Sequence, residues 1–192
     1  MLELARASLK ASVAVLEAFE ERGLPLVAQA AETLAQAFAT GRKLLVFGNG
    51  GSAADAQHLA AEFINRFQLE RPSLPALALT TDASVITSIA NDYQYDEVFA
   101  KQVKGLGLAG DVALGISTSG RSANVNKALA AARAKGLITI GLGGGEGGEL
   151  PGLCDILILA PSEDTPRIQE VHGLVVHLIC QLVDAKLFGR AR

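Results

Sequence analysis

The chain has 192 residues, of which 49% are hydrophobic and 19% charged, and its formal net charge is −3. This length is enough for one sizeable core, so we expect a single domain over residues 1–192. Lysine and arginine are scattered along the chain and no block of about 20 apolar residues occurs, which argues against a nucleic-acid-binding protein and a membrane protein.

The first forty residues predict two helices. Apolar residues recur at helical spacing on both sides of residues 23–25, at Leu9, Val13, Leu16, Val27, Ala31, Leu34 and Phe38. Gly23 and Pro25 stand between the two groups, as glycine often follows one helix and proline often begins the next. Charged residues interrupt the first sixteen positions, which does not match a secretory signal and predicts a cytoplasmic protein.

Short apolar runs then alternate with helical patterns. They predict five strands, over residues 44–47, 76–79, 112–116, 138–142 and 156–159. Strands that are buried on both faces read as continuous apolar runs, and helix-length connections between them require parallel pairing. The predicted fold is therefore α/β: a three-layer αβα sandwich with a five-stranded parallel sheet. A last helix is predicted over residues 166–187, with Thr165 as its cap and Pro166 at its first position.

The segment Gly48-Asn49-Gly50-Gly51-Ser52 directly follows the first strand, and residues 53–67 then have a helical pattern. We call residues 48–52 loop 1. Backbone N–H groups at a helix N-terminus favour an anion, so loop 1 is a candidate phosphate site. Its spacing matches neither GxGxxG nor a P-loop, and a simple tight turn is the alternative interpretation.

A second loop, loop 2, covers residues 117–122 and follows the strand that ends at Ile116. It carries four hydroxyls, on Ser117, Thr118, Ser119 and Ser122. Hydroxyls and backbone amides together suit a phosphomonoester, although Ser122 can instead simply cap the helix over 123–134. Ligands of open parallel sheets bind at the carboxyl ends of the strands, so both loops should lie at one edge. The glycine-rich residues 143–148 are predicted to form a flexible strand-to-helix loop, with ligand contact as the less favoured alternative.

Two helices carry candidate catalytic or metal-binding side chains. His58 and Glu62 are four residues apart on one helix, a spacing that can share a divalent metal, form a base and its partner, or be an ordinary exposed pair. In the last helix, Gln169 and His177 lie about two turns apart on one broad face. His172 points elsewhere and is predicted to be structural or a subunit contact.

The two cysteines, Cys154 and Cys180, have no CxxC spacing and are predicted to be ordinary buried thiols. The high apolar content without tryptophan indicates apolar surface that is buried between subunits. The sequence thus gives a weak indication of an oligomer.

Four segments together carry a resemblance that covers nearly the whole chain. They are GNGGSAADAQHLAAEF, Ala90-Asn91-Asp92, GISTSGRSANV and RIQEVHGLVVH. They resemble the sedoheptulose 7-phosphate isomerases of the SIS-domain family. The resemblance implies one SIS domain with an N-terminal helical extension. It also implies conversion of the ketose sedoheptulose 7-phosphate to D-glycero-D-manno-heptose 7-phosphate. This reaction is the first step in the synthesis of ADP- or GDP-heptose and of the heptose of lipopolysaccharide. It also implies a homotetramer with active sites between subunits.

The resemblance also implies roles for particular residues. One zinc ion per subunit, with a structural, modulatory or directly catalytic role, would be held by His58, Glu62, Gln169 and His177. The phosphate would lie on Ser117, Thr118, Ser119 and Ser122. The sugar would be lined by Asn49, Gly50, Gly51, Ser52, Glu62, Asn91, Asp92 and Gln169. Glu62 would act as the base and His177 as a second acid or base, because moving a carbonyl between neighbouring carbons through an enediol requires proton transfers.

Two other functions are considered. Residues 70–76 and 96–103 also resemble the DnaA initiator-associating protein (DiaA-like), a SIS-domain homologue that binds a protein and regulates replication initiation without isomerase activity. Glu62 and His177, which that protein lacks, favour the enzyme. A sugar-phosphate sensor of the kind found in transcription regulators is disfavoured because a basic DNA-binding surface is missing.

Overall fold

A computed structural model of the chain describes residues 1–189. Its centre is a parallel sheet of five strands in the order β2-β1-β3-β4-β5. The strands are β1 (Leu44–Gly48), β2 (Ala76–Ala78), β3 (Val112–Ile116), β4 (Ile138–Gly144) and β5 (Ile156–Ala160). The five predicted strands are confirmed, with ends that differ by at most two residues.

Within residues 1–189, six α-helices surround the sheet: α1 (Leu2–Ala39), α2 (Gly51–Ile64), α3 (Ala83–Asp92), α4 (Val98–Leu106), α5 (Ala123–Ala134) and α6 (Thr165–Phe188). Helices α1, α2 and α6 pack together on one face, and α3, α4 and α5 lie on the other. The predicted three-layer αβα sandwich is confirmed.

Strand β1 shows how the sequence builds both layers. All five of its residues are buried. Leu44 and Val46 belong to the core beneath α1, α2 and α6, whereas Leu45 and Phe47 belong to the core beneath α4 and α5. Successive side chains of a strand point to opposite faces, so a strand covered on both sides is apolar at every position.

The prediction of two N-terminal helices is wrong, because α1 is one continuous helix with Pro25 inside it. Proline removes one backbone donor, and packing of α1 along α6 and β5 keeps the helix continuous in spite of that loss. Gly23 does not end a helix either. A Cβ at Gly23 would overlap the ring of Phe19, which is 2% exposed, so glycine makes room for that ring.

Helix α6 begins one residue earlier than predicted, with Asp164 before it and Pro166 at its second position. Within residues 1–189 it is the one helix whose length and composition would allow it to cross a membrane, which corrects the expectation that no such segment exists. It is also a core helix: 44% of that apolar window is buried, and it packs against α1 and α2. Burial of this kind accounts for its apolar composition.

His172 and Cys180 are buried as the sequence predicts, whereas Cys154 is only half-buried. The Nε2 of His172 donates to the carbonyl of Gly143 at 3.0 Å, and burial lowers the pKa of this fully buried ring, which favours the neutral form. Both cysteines are free thiols; Cys180 is buried and Cys154 is half-buried. Burial raises the pKa of Cys154 to about 12, so this thiol is inert at neutral pH.

Candidate functional site

Loops 1 and 2 lie side by side because β1 and β3 are neighbours in the sheet. Gly48 at the end of β1 is paired in register with Ile116 at the end of β3. A Cβ at Gly48 would come within 2.9 Å of the Ile116 carbonyl, so only glycine allows this close approach. The two loops therefore lie together at the carboxyl ends of the strands, as predicted. This is the point where the strand order reverses, which is where such folds bind ligands.

Loop 1 leads directly into α2. Gly50 precedes the helix, and no side chain caps its first turn. The first backbone N–H groups of α2 therefore have no side-chain partner, which is the arrangement that favours an anion. The predicted contact residues Gly51 and Ser52 are the first two residues of this helix, with Ser52 buried.

Loop 2 is held in a defined shape. Gly120 has φ +64°, and its carbonyl accepts hydrogen bonds from Asn126 Nδ2 at 3.1 Å and from the amide of Glu149 at 3.0 Å. The hydroxyls of Ser117 and Ser122 are 3.0 Å apart. Ser122 precedes α5 but makes no capping hydrogen bond, so the simple-cap interpretation is wrong.

The other two hydroxyls of loop 2 are more accessible, since Thr118 is half-buried and Ser119 is exposed. The glycine-rich segment was predicted to be a flexible loop, but Gly143 and Gly144 belong to β4, and the bond from Glu149 ties the following turn to loop 2. Loop 2 is thus supported from two sides.

An amide pair that sequence reasoning missed joins loop 1 to α5. Asn49 Nδ2 donates to Asn124 Oδ1, and Asn124 Nδ2 donates to Asn49 Oδ1, both at 2.8 Å. The hydroxyl of Tyr95 also donates to Asn49 Oδ1, at 3.2 Å. The sequence did contain a signal for Asn124, because an asparagine stands at the second position of a helix that follows an open loop. The predicted residues Asn91 and Asp92 are exposed at the end of α3 and bonded to each other at 2.9 Å.

The candidate catalytic side chains come together where α2 packs against α6. His58 Nε2 is 3.2 Å from Glu62 Oε1. The rings of His58 and His177 have centroids 5.0 Å apart and meet edge to face, and Phe67 stacks on His177 at 5.5 Å. Residues from two helices more than a hundred positions apart thus form one polar cluster, which we call the His–Glu cluster (His58, Glu62 and His177).

The cluster lies at the surface of the single chain. The side chains of His58 and Glu62 are 42% and 23% exposed. Asp55, one turn before His58 on α2, has its pKa raised by burial, and the positive charge available on His58 opposes that shift. The Glu62 carboxylate is partly accessible to solvent in the single chain.

The metal ligands implied by the resemblance are only partly gathered. Imidazole and carboxylate are donors that zinc prefers, so the His–Glu cluster fits zinc by its chemistry. Within residues 1–189, however, no three His, Cys, Asp or Glu side chains are arranged as a ready metal site. The amide of Gln169 lies against Gly51, roughly 12 Å of helix rise from His177. The four-residue zinc set stays a prediction.

Comparison of the sequence with known proteins identifies the family of this chain. The SIS-domain model matches residues 9–144. The phosphoheptose isomerase of Geobacter sulfurreducens is 53% identical over 188 residues, which cover 98% of this chain and 100% of that protein. These are likenesses of sequence over almost the full length.

Solved structures agree. The phosphoheptose isomerase GmhA from Neisseria gonorrhoeae is 43% identical, with a TM-score of 0.91 over 96% of this chain and 98% of that one. A phosphoheptose isomerase from Francisella tularensis is 38% identical, with a TM-score of 0.92 over 95% of this chain and 97% of that one. These relatives support the isomerase interpretation of the site over the DnaA-associating one.

Proposed function

This chain belongs to the SIS-domain family and, within it, to the phosphoheptose isomerases, and from this premise we propose how its side chains perform the isomerisation. The protein is an aldose–ketose isomerase that converts sedoheptulose 7-phosphate to D-glycero-D-manno-heptose 7-phosphate, the first step of activated-heptose synthesis. The observation that carries the mechanism is the His–Glu cluster, which brings the Glu62 carboxylate and the imidazoles of His58 and His177 together where α6 packs against α2, the helix that begins at loop 1.

Glu62 is the base in this proposal. Isomerisation removes a proton from the carbon next to the carbonyl, forms an enediol, and returns a proton to the neighbouring carbon. A single carboxylate can perform both transfers when it stays on one face of the planar enediol. The contact with His58 holds the Glu62 carboxylate in one orientation.

His177 is the second acid or base. Its ring is held between His58 and Phe67, with one face covered by the stacked phenyl ring. Such a ring can protonate an oxygen of the substrate during ring opening or during formation of the enediol. The two groups lie on different helices, so the proposed reaction requires α2 and α6 to stay packed together.

The phosphate anchors the substrate at the other end. The open amides of α2 in loop 1 and the hydroxyls of loop 2 supply donors without a bulky cation. The hydroxyls are those of Ser117, Thr118, Ser119 and Ser122. The amide pair between Asn49 and Asn124 would hold the donors of both loops on one phosphate, which orients the bound substrate.

A zinc ion is proposed as the cofactor, one per subunit. His58, Glu62 and His177 would hold it, with Gln169 as the fourth ligand. Zinc, when bound, would act as a Lewis acid that polarises a substrate oxygen. A carboxylate that binds zinc tightly is not free as a base, so this proposal and the role of Glu62 are tested together.

We also propose a cytoplasmic homotetramer with active sites between subunits. The support is the exposure of the His–Glu cluster, since His58 is 42% exposed in the single chain. Reactive enediols are protected when water is excluded, and a neighbouring subunit would provide that cover.

The experiment that tests the function is an NMR or coupled assay of the purified protein with sedoheptulose 7-phosphate, with and without added zinc. We expect the wild-type protein to form the manno-heptose phosphate. The Glu62→Gln variant should keep its fold and lose at least ~10²-fold in kcat, the usual scale for loss of a general base.

Two results would count against the proposal. Wild-type turnover by Glu62→Gln would remove Glu62 from the mechanism. A folded wild-type tetramer that converts no substrate under either zinc condition would overturn the function.

A further inference from the structure

Arg71 lies just beyond α2, in the segment that leads to β2, and its side chain is only 1% exposed. Its Nε donates to Asp184 Oδ1 at 2.7 Å, and the Asp184 side chain is 7% exposed. The two residues are 113 positions apart in the sequence. This buried ion pair joins the end of α2 to the last turns of α6.

The same guanidinium holds the last turn of α2. Its Nη2 donates to the carbonyl of Glu62 at 2.9 Å, and its Nη1 donates to the carbonyl of Phe63 at 2.8 Å. The last four carbonyls of a helix have no partner within the helix, and α2 has no basic residue of its own in its last turn. Arg71 supplies the missing donors at the residue that carries the candidate base.

The other residue of the ion pair, Asp184, lies on the same helix as His177. Asp184 follows His177 by seven residues, two helical turns, so both point towards the same side of α6. Cys180 lies between them, and after burial the negative charges of Glu62 and Asp184 are the next causes of its raised pKa. Glu62, Cys180 and Asp184 therefore lie near one another where α2 packs against α6.

We propose that Arg71 and Asp184 are positioning residues for the isomerisation, fixing the backbone of Glu62 relative to the helix that carries His177. This inference rests on the proposed function, because it requires Glu62 and His177 to act on one substrate. A misplacement of about 1 Å in an active site can cost ~10²-fold in rate. The planar fork of arginine makes these directed bonds and lysine does not replace it.

The positioning role predicts a particular kinetic pattern. Arg71 contacts the C-terminal end of α2, whereas the phosphate loops lie at the N-terminal end of α2 and at the start of α5. Loss of the ion pair should therefore impair turnover more than substrate binding. A residue that only stabilised the fold would not separate kcat from KM in this way.

The test uses full-length Arg71→Lys and Asp184→Asn, with Asp111→Asn as the matched control. Asp111 also has a buried side chain, 1% exposed, and its ion pair with Lys43 at 2.6 Å joins the starts of β1 and β3 rather than α2 and α6. Steady-state kcat and KM are measured well below the melting temperature of each variant. We expect kcat to fall at least ~10-fold in Arg71→Lys and Asp184→Asn with KM within about threefold, and the control to keep wild-type kcat.

Amide hydrogen exchange gives a second readout. The amides of residues 60–64 should exchange faster in Arg71→Lys and Asp184→Asn than in the wild type, and not in Asp111→Asn. Folded Arg71→Lys and Asp184→Asn proteins with wild-type kcat would overturn the positioning role. An equal fall of kcat in Asp111→Asn would also overturn it. An inactive wild-type protein would refute the isomerase function itself, and the positioning role with it.

Discussion

The amide pair between Asn49 and Asn124 offers a quantitative test of how the two loops are joined. Asn124 is 4% exposed and takes part in three hydrogen bonds: the two 2.8 Å bonds with Asn49 and one from the Val125 amide at 2.9 Å. A buried hydrogen bond contributes about 1 kcal/mol net, so Asn124→Ala should cost about 3 kcal/mol. For a chain of this size that corresponds to a fall in Tm of roughly 6–12 °C.

The same substitution should weaken substrate binding, because loop 1 loses its connection to the helix that follows loop 2. We expect KM for the sugar phosphate to rise about tenfold, the equivalent of one such hydrogen bond, with a smaller effect on kcat. Thermal unfolding followed by circular dichroism and steady-state kinetics on the same samples measure both effects.

Thr139 provides the control, because it is also a buried polar residue with hydrogen bonds to a distant loop. Its single hydroxyl hydrogen is shared between the Leu153 carbonyl at 3.0 Å and Asp155 Oδ2 at 2.9 Å, and its oxygen accepts from the Asp155 amide at 3.1 Å. These bonds lie near the start of β4, at the amino-terminal ends of the strands, whereas loops 1 and 2 lie at the carboxyl ends. Thr139→Val should lower Tm by a similar amount and leave KM unchanged. Equal KM values in Asn124→Ala and Thr139→Val would refute the reasoning.

Three further predictions concern charge, thiols and assembly. Burial raises the pKa of Asp111, but hydrogen bonds from Lys43 and the Leu108 amide outweigh burial and hold the pKa below its usual value. The resulting stability is present above the unfolded-state pKa of about 3.9 and is lost as the pH falls through the folded-state pKa. Urea midpoints measured from pH ~5 to ~2 should therefore fall more steeply for the wild type than for Asp111→Asn, and parallel curves would contradict this. Cys154 and Cys180, whose pKa values are raised by burial, should react with a thiol reagent at pH 8 only after unfolding, and rapid labelling of the native protein would disagree. Dilution of the protein to monomer should abolish isomerase activity. Light scattering would measure the oligomeric state in the same samples as the activity assay, and an active monomer would exclude shared active sites.

The strands and the positions of loops 1 and 2 were predictable because their signals are local. An apolar run of about five residues, followed by glycines or hydroxyls and then a helical pattern, specifies a buried strand with a polar loop at its carboxyl end. The spacing of His58 and Glu62 is equally local. These signals depend on neighbours within one or two turns, so the sequence alone contains them.

The failures arose where a distant contact decided the outcome. Gly23 and Pro25 are typical of a helix boundary, but packing against α6 and β5 keeps α1 continuous, and no local pattern reports that packing. Asn124 and Arg71 were missed for a related reason. Their partners lie 75 and 113 residues away, and only the fold brings them together.

The pairing of β1 with β3 has a consequence for how the enzyme is made. Val46 and Leu114 are in register although 68 residues separate them, and the pairing of such distant strands is slow in folding. During synthesis, loop 1 and Glu62 leave the ribosome long before β3 exists to bring loop 2 beside them. The substrate site is therefore completed late, and recovery of isomerase activity on refolding should follow the slowest step of sheet assembly.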